Sequence, residues 1–143
     1  MERVKRLVIV ERGKGKNNFS CFATENVGKC VLIGFGKSAR EAMDDIKTTA
    51  SEYKEMAAEK GEEFPDVEFD FRFDVGSFFN YYPLDVTAVA KYIDVNPSAL
   101  RQYVAAVRQP KQQQIEKIKE GINKLAYDLG SGMLIDKPTT SYI

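Results

Sequence analysis

The chain has no histidine, only two cysteines, no excess of charge of either sign and no apolar run of membrane-spanning length. Each of these absences removes a class of function. Without histidine, imidazole general acid–base catalysis and histidine-liganded metal sites are excluded. Cys21 and Cys30 are too few to build the disulfide framework of a small secreted domain. With no secretory signal pattern and no membrane-length run, a reducing cytoplasm is the expected setting. Lys plus Arg and Asp plus Glu both total 21, so net charge singles out no partner. The 143 residues suffice for one ordinary domain or two small ones with a buried core.

Charge is nevertheless unevenly placed. Residues 55–74 carry eight acids (Glu55, Glu59, Glu62, Glu63, Asp66, Glu68, Asp70 and Asp74) against Lys60 and Arg72. Residues 97–119 carry Arg101, Arg108, Lys111, Lys117 and Lys119 against Glu116. The first segment repels phosphate and the second accepts it.

Residues 4–11 are rich in β-branched side chains and predict a strand. The loop Arg12 to Asn18 turns the chain into a second strand, Phe19 to Thr24, with Phe19, Cys21 and Ala23 on one face. After the turn at Asn26-Val27-Gly28, Cys30 to Phe35 reads as a third strand. It is apolar at nearly every residue, which predicts a central strand or one covered on both faces. Gly36-Lys37-Ser38 is not a phosphate-binding loop, because the first glycine of that motif would fall at position 31, which is Val31. Ser38-Ala39-Arg40-Glu41 fits a capping box, with Glu41 returning the bond. The helix it opens is expected to run to Lys60 and stop at Gly61. Ala42, Met43, Ile46, Ala50, Tyr53 and Ala57 recur on the face toward the sheet. Val67 to Phe73 alternates as a half-buried strand, its other face bearing Glu68, Asp70 and Arg72. Asp70 and Asp74 lack a third ligand cluster, so metal-dependent phosphodiester chemistry is not supported; no enzyme, cofactor or metal site is expected.

The later part of the chain is helical in pattern. Phe78 to Tyr82 suggests a first short helix closed by Pro83. Val86 to Ala105 has the apolar spacing of a helix-turn-helix, with Val89 and Ile93 one turn apart on the first helix and Val95 plugging the turn. Leu100 and Tyr103 lie on the inner face of the second helix. Ala90 is small enough for a close crossing, Asn96 can cap the second helix and Pro97 suits its first position. The turn position that most often holds glycine is Asp94, a residue type that tolerates left-handed backbone. Ser98, Arg101, Gln102 and Ala105 remain on the outer face. Arg and Gln suit bidentate contacts to guanine and adenine, while Arg108 and Lys111 are candidates for phosphate. A last helix, Gln112 to Leu129 with Gly130 as its cap, carries Ile115, Ile118, Ile122, Leu125 and Leu129 on a narrow seam. That seam suits either packing within the bundle or a homodimer contact. Three segments are therefore expected: an α/β domain over 1–75, a helix-turn-helix DNA-binding domain over 76–130, and a tail over 131–143.

Several motifs together resemble the HicB antitoxin family. Gly28-Lys29-Cys30 approximates its Gly-Cys turn with Lys29 inserted. Gly36-Lys37-Ser38-Ala39-Arg40-Glu41-Ala42 matches its Gly-x-[Ser/Thr]-x-x-Glu-Ala helix start, and Gly61-Glu62-Glu63-Phe64-Pro65 is similar to its helix exit. The resemblance implies an α+β chain: a β-β-β-α-β HicB-like, partial ribonuclease-H-like domain without nuclease carboxylates, followed by a small all-α helix-turn-helix bundle. It also implies the role of an autorepressing antitoxin, which binds its own double-stranded operator DNA and covers a HicA-like mRNA-cleaving toxin. Glu62, Glu63, Asp66, Glu68 and Asp70 would be the acidic surface offered to that toxin. The alternative is a stand-alone protein-interaction or dimerisation module with no toxin and no specific DNA binding.

Overall fold

The computed structural model describes residues 3–136. Its architecture is mixed α+β, a four-stranded mixed sheet with five helices among the described residues. Strands β1 (Arg3–Arg12), β2 (Phe19–Ala23) and β3 (Ile33–Gly36) form an antiparallel meander. Helix α1 (Ala39–Glu59) follows, and β4 (Asp66–Phe73) then pairs parallel to β1, giving the order β3-β2-β1-β4. Alternation along β1 and β2 sends Val8, Val10, Phe19 and Cys21 to one face, where Ala39, Ala42, Met43 and Ile46 of α1 bury them. Ser38 caps α1 by accepting from the Glu41 amide at 3.1 Å; the Glu41 carboxylate returns no bond among the described residues.

The third strand departs from expectation. It is shorter than Cys30 to Phe35, and it lies at the edge of the sheet with Ile33 42% and Phe35 65% exposed. Cys30 instead makes an isolated bridge with Val27. Gly34 faces α1, which passes so close that a Cβ there would stand 2.6 Å from the Ala42 carbonyl oxygen. The apolar run therefore reflects one covered face and one open one.

A second buried cluster joins the remaining helices: α2 (Val75–Tyr81), α3 (Val86–Tyr92), α4 (Pro97–Val104) and α5 (Gln112–Ser131). Helix α2 begins three residues earlier than expected because Asp74 caps it, accepting from the Ser77 amide at 2.8 Å. Helix α5 passes through Gly130 to Ser131, and Gly132 is its cap. The tail expected over 131–143 thus loses Ser131 to the helix, and its part from 137 on lies outside the described residues. Ile118 is buried in the cluster with Ile122 and Leu125 packed against it. A Cβ at Gly121 would meet Ile93 at 2.5 Å, so this glycine lets α5 approach the end of α3. No helix among the described residues is long and apolar enough to cross a membrane.

Candidate nucleic-acid interface

The α3–α4 pair is built almost entirely from local instructions. Asp85 caps α3 through the Ala88 amide at 2.8 Å, and Asn96 caps α4 through the Ala99 amide at 3.0 Å, with Pro97 in the first turn. Between them Asp94 takes φ +59°, the left-handed conformation the turn requires. Two bonds close the end of α3: the Val95 amide donates to the Ala90 carbonyl at 2.9 Å and the Asp94 amide to Lys91 at 3.4 Å. Val89, Ala90, Ile93, Val95, Leu100 and Tyr103 are all buried, so the inner faces of both helices lie where the apolar spacing put them.

The outer face carries the expected candidates. Ser98, Arg101, Gln102 and Ala105 are exposed on α4 and its cap, and Arg108 and Lys111 are exposed on the segment leading to α5. Arg101 is held by Nη1 donating to Thr87 Oγ1 on α3 at 2.9 Å. This bond orients the guanidinium beside the N-terminal half of α3. The Arg108 guanidinium sits 5.8 Å from the centre of the Tyr103 ring, which ties the post-α4 segment to the helix core. Lys111 precedes α5 as its N-cap residue and makes no side-chain capping bond. Ala106, immediately past α4, is left-handed at φ +60° and closes that helix with bonds to Tyr103 and, through Val107, to Gln102.

The seam residues divide. Ile118 is buried, Ile115, Ile122 and Leu125 are half-buried, and Leu129 is 66% exposed. Tyr92 on α3 donates from its hydroxyl to Asp128 Oδ2 at 2.7 Å, and Lys124 reaches the same oxygen at 3.2 Å. Those two bonds hold the Asp128 carboxyl below the usual carboxylate range, and the bond to Asp128 pushes the Tyr92 hydroxyl up.

The acidic candidates are spread along one side of the sheet unit. Glu62 and Glu63 are exposed in the turn after α1. Asp66 is ion-paired with Lys54, Glu68 lies 4.0 Å from Arg3, and Asp70 is bonded by Arg72 at 3.0 Å. The Lys54 and Arg72 bonds lower the pKa of Asp66 and of Asp70 respectively, and the Arg72 guanidinium is raised in turn. Asp74 accepts from the Arg12 amide at 3.0 Å as well as capping α2.

Two important side chains have no local motif to announce them. Thr87 positions Arg101, but threonine near a helix start is common. Arg12 ends β1 and donates from Nη1 to the Val104 carbonyl at 2.7 Å, joining the sheet to the last residue of α4 across 92 positions of sequence. Only the three-dimensional path reveals that link. No known family model, curated protein or solved structure matches the chain.

Proposed function

We propose that the protein is an antitoxin-like transcriptional regulator that binds double-stranded operator DNA through α3 and α4. The observation that carries this reading is the pair of capped helices around a left-handed turn, with Ser98, Arg101, Gln102 and Ala105 facing outward. Arg101 and Gln102 read base edges in the major groove, while Arg108 and Lys111 meet phosphates. The resemblance of the earlier motifs to the HicB family supports a second role, covering a HicA-like mRNA-cleaving toxin with the β-β-β-α-β unit. Of its acidic residues, Glu62 and Glu63 make no ion pair among the described residues and are the freer charges for a basic partner.

The test compares the Arg101→Ala, Gln102→Ala double variant with the native chain on specific and scrambled duplexes. Loss of about 1–3 kcal/mol per bidentate contact on the specific duplex alone is the expected result. Unchanged affinity for the specific duplex would overturn base reading by α4. The rival reading, a dimerisation module, draws on Tyr127 and Leu129, which are 75% and 66% exposed on α5. In that case the double variant leaves self-association intact and there is no specific DNA affinity to lose.

A further inference from the structure

A cavity of about 420 Å³ lies where the end of β4 and the start of α2 meet α4 and α5. Phe79, Tyr103, Ile118 and Ile122 are among its walls, and its size is that of a small-molecule site. Four charged residues also line it: Arg12, Arg72, Lys119 and Asp74. Asp74 has both oxygens occupied by the Arg12 and Ser77 amides, and Arg72 is committed to Asp70. Lys119 makes no ion pair among the described residues. Arg12 uses Nη1 on the Val104 carbonyl; its Nε is enclosed without a hydrogen-bond partner among the described residues, and its Nη2 makes no hydrogen bond among them. Nε has no surface open to a ligand atom, so a ligand in the cavity meets the guanidinium at Nη2, where an acceptor bearing negative charge forms the strongest hydrogen bond.

We infer that this cavity binds a small carboxylate with an apolar tail, its acid group taken by Arg12 with Lys119 beside it and its tail lying against Ile118 and Ile122. Excess positive charge at the lining selects the acid over the matching alcohol, and the apolar walls select a chain over a small polar anion. The bond from Arg12 to Val104 gives such a ligand a direct line to α4. Any consequence for DNA affinity rests on the function proposed above; the binding itself does not.

The test is isothermal titration calorimetry of the full chain, without DNA, using decanoate and decanol as probes. Decanoate is expected to bind saturably with one site per chain, and decanol at least about tenfold more weakly, the worth of one charge-assisted hydrogen bond. Arg12→Gln should bring decanoate down to the level of decanol. Ile122→Trp, which fills the cavity, should abolish binding of both while still melting cooperatively. No saturable decanoate binding, or equal binding by decanol, overturns the proposal. So does undiminished binding by Ile122→Trp, which decides the matter even if Arg12→Gln does not fold.

Discussion

At the scale of single residues, the helix ends carry conformations that residue type foreshadows unequally. Asp94 at φ +59° was legible, because aspartate tolerates left-handed backbone and sits at the turn position that usually holds glycine. Ala106 at φ +60° was not, since alanine gives no hint of a left-handed cap. A Cβ in that conformation costs about 1–2 kcal/mol, part of which is returned by the greater unfolded-state freedom of glycine. Ala106→Gly is therefore expected to stabilise the fold by about 0.5–1 kcal/mol, read as a higher denaturation midpoint at unchanged slope. The cysteines differ as well. Burial, with Asp45 adding to it, pushes the Cys21 thiol up to about 12, whereas Cys30 is partly exposed. Iodoacetamide at neutral pH should alkylate Cys30 in the native chain and reach Cys21 only after unfolding, as peptide mass mapping would show.

At the scale of elements, α3 and α4 were legible to within a residue or so because caps, turn and apolar spacing are all local. The place of β3 was not legible. Strand order depends on β4 returning to pair with β1, and an apolar run of β3's length does not say which neighbour it lacks. The same locality makes the hairpin fragile at its centre. Leu100 is fully buried between the helices, so Leu100→Ala should cost about 2–5 kcal/mol and is best read by thermal melting. The Tyr92–Asp128 contact between α3 and α5 is expected to depend on pH. The carboxyls of Asp128, Asp66 and Asp70 all have lowered pKa values in the folded chain. Their stabilisation is present above the ordinary unfolded value of about 3.9 and is lost as pH falls through the lower folded values. The melting temperature should accordingly fall on acidification below about pH 4, and Asp128→Asn should flatten part of that fall. Full native acid dependence in that variant would show that Asp128 contributes nothing to the fall.

At the scale of the whole molecule, the two charged segments play different parts. Much of the acidic strip on β4 is neutralised within the fold by Lys54, Arg3 and Arg72. Arg101, Arg108 and Lys111 enter no ion pair among the described residues and remain available to a polyanion. On the proposed function, one recognition helix per chain would read one half-site, so a specific complex is expected to contain a dimer spanning half-sites about 34–36 Å apart. Sedimentation of the protein with its duplex should show two chains bound; a single chain bound specifically would contradict this arrangement. The seam on α5 could be read in the sequence, but the periodicity alone did not show that Ile118 serves the internal core while Leu129 stays exposed. Packing within the chain and pairing between chains demand the same spacing.

The proposed function stands or falls on specific, electrostatically supported DNA binding by α3 and α4. Its most direct test is a fluorescence anisotropy titration against the duplex upstream of the protein's own coding region, repeated across salt concentrations with a scrambled duplex as control. Tight binding is expected to the first duplex only, with log affinity falling against log salt by about 0.9 for each phosphate neutralised. Equal weak binding to both duplexes, or none, would contradict it and leave α3 and α4 as architecture.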